Sequence, residues 1–371
     1  MRYIWQHIRF IIDNYDGSVP LAHFLKNYYK QNPKLGSRDR KILGNMAYSW
    51  YRCNRGLAMP EEQNTFEQRI WAGMLACDLP VHDVLFADYA QPEYKLDLHL
   101  LFQHTVDFSQ GIDREQWQQS MLQQPSLFIR IRNDKNKIIS ILSEQKIPFE
   151  FISDNCLSLP NGAKIDTLLP PDSYVVQDAS SQQTGQYFAA QKNERWYDCC
   201  AGAGGKSILL KDMYPSVQLT VSDRRESILH NLHDRFRLYH HTQPVGKLTD
   251  AADKTKLAVT FGSQLFDNII CDAPCSGSGT WARTPEQLYF FDPSSLEQFH
   301  NTQSAIAANV AAYLKPGGRL IYITCSVFKR ENEAVVASVI KEPGLVLHES
   351  KLINGLNIKA DCMYVAVLKK L

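Results

Sequence analysis

The 371-residue chain lacks any apolar run near the roughly 18–20 residues that span a bilayer, so no membrane partner is expected. Its first residues break their apolar character with charges and no small-residue cleavage site follows, so a cytoplasmic address without a signal peptide is expected. No Cys-x-x-Cys occurs, and no Cys/His set has zinc-ligand spacing, so no metal is expected. The cysteines at 53, 77, 156, 199, 200, 271, 275, 325 and 362 are odd in number and form no disulfide-like framework. Repeats and low-complexity stretches are also missing. Neither sign of charge dominates: 40 Lys and Arg face 39 Asp and Glu, a net +1.

What is present is enough apolar sequence for real cores, 44% hydrophobic and 11% aromatic. At roughly 100–200 residues per domain, two or three domains are expected. The small net charge hides a split. Residues 1–55 carry ten basic and three acidic residues, and residues 61–125 carry three basic and eleven acidic. A basic face for a polyanion is one reading, and an ordinary solvated surface is another.

Residues 1–118 read as a helical domain. Ile4, Trp5, Ile8, Ile11 and Ile12 follow helical spacing, as do Leu21, Phe24, Leu25 and Tyr28. A third helix begins after Gly36, with Ser37 as its N-cap. Residues 119–175 read as a small α/β unit, with strands near 127–132, 149–152 and 156–159 and a helix over 135–145. Residues 176–371 alternate strand and helix, with strands near 195–200, 217–223, 245–250, 265–271 and 319–325. That is the βαβ rhythm of an open parallel, Rossmann-like α/β sheet. Two further strands, 345–349 and 363–369, predict an antiparallel hairpin at its edge.

The first of these strands runs into Asp198, Cys199, Cys200, Ala201, Gly202, Ala203, Gly204, Gly205, Lys206 and Ser207. Small residues let the backbone turn and approach a ligand, and a helix starting near Gly205 points its N–H groups at an anion. A triphosphate loop would need glycine at 200, which is Cys, and a dinucleotide loop would need glycine at 207, which is Ser. The remaining reading is S-adenosylmethionine. Asp223 and Asp250 end the next two strands, where a carboxylate can hold ribose hydroxyls and an adenine edge can lie.

Two later strand ends carry Cys275, within Asp-Ala-Pro-Cys-Ser-Gly, and Cys325, within Thr-Cys-Ser. Both are expected at the same crevice, because ligands bind beyond the carboxyl ends of adjacent strands. Cytosine C5 is too weak a nucleophile to take a methyl group unaided. A thiolate adding to C6 makes C5 enamine-like, and a second thiol or a water suits the release step. Asp272 would stabilise charge on the ring. Such a pocket needs an unstacked base, hence single-stranded or flipped RNA. Cys53, Cys77, Cys156, Cys199 and Cys362 read as small buried hydrophobes, Cys200 as part of the cofactor loop, and His233, His240 and His241 as polar surface.

These residues resemble the RNA 5-methylcytosine methyltransferases of the Sun/Fmu and Nop2/NSUN superfamily. The family's Asp-x-Cys-Ala-Ala-Pro-Gly-Gly-Lys-Thr is matched at 198–207 except by Gly202, Ala203 and Ser207; its Asp-Ala-Pro-Cys-Ser-Gly-x-Gly stands intact at 272–279. Its Arg-x-Pro follows at Arg283, and Thr-Cys-Ser with Glu-Asn-Glu stands at 324–333. The resemblance implies Cys325 as nucleophile, Cys275 assisting product release, and Lys206 and Asp272 flanking both cofactor and base. DNA cytosine-5 enzymes use the Pro-Cys thiol instead, and the presence of both cysteines favours the RNA type. It further implies a NusB-like helical domain at 1–118 presenting Arg38, Arg40 and Lys41 to RNA, and an RNA-recognition-like extension at 119–175. The expected enzyme is a monomer that methylates cytosine C5 in RNA, ribosomal first. Transfer RNA as substrate and a non-catalytic RNA-binding or assembly role are the alternatives. A dinucleotide-dependent oxidoreductase is more distant.

Overall fold

The computed structural model describes residues 2–371. They form two compact units that interleave along the chain. One holds residues up to 106, 113–124 and 280–293; the other holds 107–112, 125–279 and 294–371.

The first unit is built on α1 (Arg2–Asn14), α2 (Leu21–Gln31), α3 (Ser37–Cys53) and α4 (Phe66–Ala76). Ile4, Ile8 and Ile11 recur every three to four residues and are buried with Leu21, Leu25, Leu43 and Met46 in one core. Ser37 is the first residue of α3 rather than its cap. Gly36 caps the helix, and its N–H donates to the Asp39 carboxylate at 3.1 Å. Asp39 reaches back from the first turn, so no hydroxyl is required there. The segment 280–293 packs in this unit despite its place in the sequence. Tyr289 meets Tyr51 edge-on at 5.2 Å, Arg52 donates to the Ala282 carbonyl at 2.6 Å, and Glu286 accepts from the Leu21 N–H at 3.1 Å.

The second unit contains two sheets. The smaller comprises β1 (Leu127–Ile131), β2 (Glu150–Ser153), β3 (Cys156–Leu159) and β4 (Tyr174–Val176), covered by α5 (Lys135–Glu144). Its order is β2-β3-β1-β4, antiparallel throughout. Strand β4 was not evident in the residue pattern, being only three residues long.

The larger sheet comprises β5 (Arg195–Asp198), β6 (Gln218–Asp223), β7 (Val245–Leu248), β8 (Phe266–Asp272), β9 (Leu314–Thr324), β10 (Leu345–Asn354) and β11 (Cys362–Lys370). Helices α6 (Gly205–Met213), α7 (Glu226–Leu238), α8 (Lys254–Phe261), α9 (Ser295–Ala311) and α10 (Glu333–Val339) lie between its strands in the chain. The order is β10-β11-β9-β8-β5-β6-β7, with β5 to β9 parallel and β10 and β11 antiparallel. This is the expected Rossmann-like sheet. The terminal hairpin forms as the sequence suggested, with β11 inserted beside β9 and β10 at the edge. Neighbouring residues feed opposite cores: Tyr197, Ile269 and Leu320 pack on one face, and Trp196, Ile270 and Ile321 on the other. A parallel sheet covered on both sides needs this doubly apolar strand. The order reverses between β5 and β8, so a ligand crevice opens beyond their carboxyl ends.

Within this unit, Asp212 of α6 joins the two sheets. It pairs with Arg130 of β1 at 2.5 Å, with Arg132 at 2.9 Å and with His241 at 2.7 Å.

Candidate active site

The loop after β5 turns back on two glycines in the left-handed region, Gly202 at φ 51° and Gly204 at φ 84°. A Cβ on Gly204 would approach Leu232 of α7 to 3.0 Å, so both backbone and packing require glycine there. A Cβ on Gly202 or Gly205 would meet nothing within 4 Å, which leaves the loop backbone bare for a ligand. The Ala201 N–H donates to the Ser222 carbonyl and the Gly202 N–H to Asp223, at 2.9 and 3.2 Å, tying the loop to the end of β6.

Cys200, Gly202, Asp223, Asp250 and Asp272 line one cleft of about 580 Å³ together with Arg225, Phe299 and Thr302. Asp223 receives four donors. Its Oδ1 accepts from the Arg225 N–H at 2.9 Å and Arg225 Nε at 3.1 Å; its Oδ2 accepts from the Gly202 N–H and from Arg225 Nη2 at 3.3 Å. Burial works to raise its pKa, but the Arg225 side chain and the two backbone N–H groups outweigh it and hold the carboxyl below its ordinary value. Asp250 accepts from the Ala252 N–H at 3.0 Å.

Asp198, expected as a cofactor ligand, is fully buried behind the loop. Its Oδ2 accepts from the Ser207 hydroxyl at 2.6 Å, and burial pushes its pKa up to about 7 against that bond. Its place is under the first turn of α6, where it holds the loop. Lys206, on the same turn, is buried. Its Nζ donates to Asp272 at 3.2 Å and to the Ser181 hydroxyl at 2.9 Å.

The two cysteines singled out from the sequence meet. Cys275 Sγ and Cys325 Sγ are 3.3 Å apart, both partly exposed and both free thiols. The hydrogen bond to Cys325, aided by burial and by the negative groups around it, raises the Cys275 pKa well above the ordinary thiol range. Glu331 lies buried beneath both loops. It accepts from the Ser276 N–H at 2.7 Å, from the Ser276 and Ser326 hydroxyls at 2.5 Å each, and from Gln303 at 3.2 Å. Asn332 accepts from the Thr324 hydroxyl and donates to the Ser326 carbonyl at 2.8 Å.

Glu331 and Asn332 belong to the Glu-Asn-Glu run of the sequence motif, whereas Arg225 and Gln303 lie outside every motif. The place of Arg225, two residues beyond a strand-ending Asp, is a legible signal; Gln303 carries none. Arg38, Arg40 and Lys41 lie exposed on α3 of the first unit, and Arg283 belongs to that unit's 280–293 segment. The three histidines have separate partners: His233 on Gln243, His240 on Asp172 and His241 on Asp212. Among the described residues no His/Cys/Asp/Glu group could hold a metal ion, and no helix is long and apolar enough to cross a membrane.

Residues 186–365 match the family described as 16S rRNA methyltransferase RsmB/F. The ribosomal RNA small subunit methyltransferase B of Shigella sonnei is 28% identical over 241 residues, covering 61% of this chain and 54% of that protein. The chain thus spans about half the length of the curated relatives it matches. A methyltransferase homologue from Pyrococcus horikoshii superposes with a TM-score of 0.60 at 17% identity, covering 81% of this chain and 98% of the other. NSun6 from the same organism, solved with SFG, also gives 0.60, at 15% identity and 69% and 93% coverage. The family match over residues 186–365 bears out the resemblance read in the sequence, and the two solved structures share the fold.

Proposed function

We propose that the chain, whose residues 186–365 match the RsmB/F methyltransferase family, methylates C5 of cytosine in RNA, ribosomal RNA of the small subunit first, with S-adenosylmethionine as donor. The observation that carries the reading is the pair of thiols 3.3 Å apart at adjacent strand ends, beside the Lys206–Asp272 ion pair and the glycine-loop cleft.

The cleft suits the donor. Its volume lies within the range of small-molecule sites, its loop backbone is bare at Gly202, and Asp223 and Asp250 offer carboxylates for hydroxyl and amino groups. When bound there, S-adenosylmethionine supplies an electrophilic methyl group. The chain's own residues prepare the base. The Cys325 thiolate forms a bond to C6, and the 5,6 double-bond electrons pass towards C5 and the ring carbonyl. Asp272, held by Lys206, faces the charge that develops on the ring. After methylation a water takes the C5 proton, the C–H electron pair re-forms the 5,6 double bond, and Cys325 departs with the pair from the C–S bond. Cys275, in contact with that sulfur, assists by donating its thiol hydrogen to it in a hydrogen bond. Arg38, Arg40, Lys41 and Arg283 are proposed RNA contacts on charge and resemblance.

The test is transfer of labelled methyl from S-adenosylmethionine to unmodified small-subunit ribosomal RNA. Label should appear in cytosine, and Cys325→Ala should abolish it. Cys275→Ala should leave a denaturant-resistant protein–RNA adduct. An adduct from Cys325→Ala would exchange the two roles. Label in transfer RNA alone would keep the chemistry and change the substrate, and no transfer to any RNA would remove the reading.

A further inference from the structure

The Asp223 carboxylate has room for about four hydrogen bonds, and all four places are taken. Two are filled by backbone N–H groups, of Gly202 and Arg225, which belong to the loop and the strand end. The other two are filled by one side chain, Arg225, through Nε at 3.1 Å and Nη2 at 3.3 Å. That side chain is 58% exposed, whereas the carboxylate it covers is 8% exposed. The guanidinium can therefore leave into solvent, and the carboxylate cannot.

This inference rests on the proposed adenosyl site and deepens it. A ribose would present two vicinal hydroxyls to Asp223, the number of donors that Arg225 supplies. We infer that Arg225 is a gate on the cofactor site: its guanidinium holds the places of the two ribose hydroxyls and is exchanged, two donors for two, when an adenosyl ligand binds. The two backbone donors stay through the exchange, so the carboxylate remains oriented and charged. Arg225 acts through Asp223 and is a positioning residue. Its presence lowers affinity for ligands with both hydroxyls and leaves ligands without them unaffected, since those need not displace it. Because the ion pair is exposed, added salt weakens the gate as it weakens other surface pairs.

The test measures equilibrium binding of S-adenosylhomocysteine, which carries no net charge, to the full chain and to Arg225→Ala, with the 2′,3′-dideoxy analogue alongside. The hydroxylated ligand should bind Arg225→Ala about two- to fivefold more tightly than wild type, the range an exposed ion pair is worth. The dideoxy analogue should bind both equally. Raising salt from 0.05 to about 0.5 M should tighten wild-type binding and leave Arg225→Ala unchanged. Arg225→Lys, which keeps the charge but not the fork, should fall between the two. Weaker binding by Arg225→Ala would make Arg225 a direct ligand contact and overturn the gate. Equal gain for the dideoxy analogue would overturn it as well, since the effect would then not pass through the hydroxyls. Absence of binding by every form would remove the adenosyl reading itself and the gate with it.

Discussion

Asp198 and Asp223 end neighbouring strands, 25 residues apart in the chain, yet their carboxyls are driven in opposite directions. Asp223 meets four donors and is held below its ordinary pKa; Asp198 is sealed behind the loop and is pushed up to about 7. An unfolded Asp ionises near about 3.9. Between that value and about 7 the folded chain keeps the Asp198 proton that the unfolded chain has lost. The stability this group contributes is complete at the acid end of that window and falls as pH rises through it. Asp198→Asn, which cannot ionise, should therefore gain on wild type between pH 5 and pH 8 in urea-unfolding midpoint. The same midpoint difference at both pH values would contradict the assignment. The strand-end position of Asp198 was visible in the residue order; that its side chain turns inward to Ser207 was not, because neither residue type states which way it faces.

Among the elements, the loops after β8 and β9 are joined more tightly than their motifs suggest. The Gly279 N–H donates to the Cys325 carbonyl at 2.8 Å, and its own carbonyl accepts from the Cys362 N–H at 2.9 Å. A Cβ at Gly279 would come within 2.3 Å of the Cys362 carbonyl oxygen. Gly279→Ala should cost on the order of 3 kcal/mol of stability, since backbone on both sides resists displacement. Chemical denaturation measures this, and a loss within the scatter of surface substitutions would show that the loops can yield. Glu331 joins the same two loops from below through Ser276 and Ser326. Glu331→Ala should destabilise by about 3 kcal/mol, because several buried donors lose one acceptor. It should also lower the rate of methyl transfer, since both cysteines stand on the loops it braces. Unchanged kcat in a folded variant would free the thiols from this support. The two loops were legible as motifs, but their brace was legible only as a run of polar residues with no stated partner.

At the scale of the molecule, the ion cluster at Asp212 decides how the smaller sheet is fixed to the larger within the second unit. Arg130 and Asp212 are 8% and 12% exposed in their side chains, so the pair is largely removed from water. Deleting the carboxylate would leave two arginines facing each other without it. Asp212→Ala should cost about 3–5 kcal/mol, as for other broken buried pairs. Hydrogen exchange should localise the loosening to residues 127–176, and a loss of protection spread evenly over both sheets would count against the cluster as the fastening. Burial tends to raise the Asp212 pKa, but His241, Arg130 and Arg132 together hold it below its ordinary value. Its contribution is thus present above about pH 4 and is lost as pH falls through the depressed value.

By itself the order of residues determined the alternation of strand and helix over 195–325, the terminal hairpin, the glycine loop and the two strand-end motifs that carry Cys275 and Cys325. Each of these is written in near neighbours, as a period of two or of 3.6 or as a short run after a strand. Only the tertiary structure decided that residues 280–293 pack with the N-terminal helices, that Asp198 faces inward, that Glu331 braces two loops and that Arg225 covers Asp223. Those outcomes depend on side-chain direction and on contacts between residues far apart in the chain, and no local period records them.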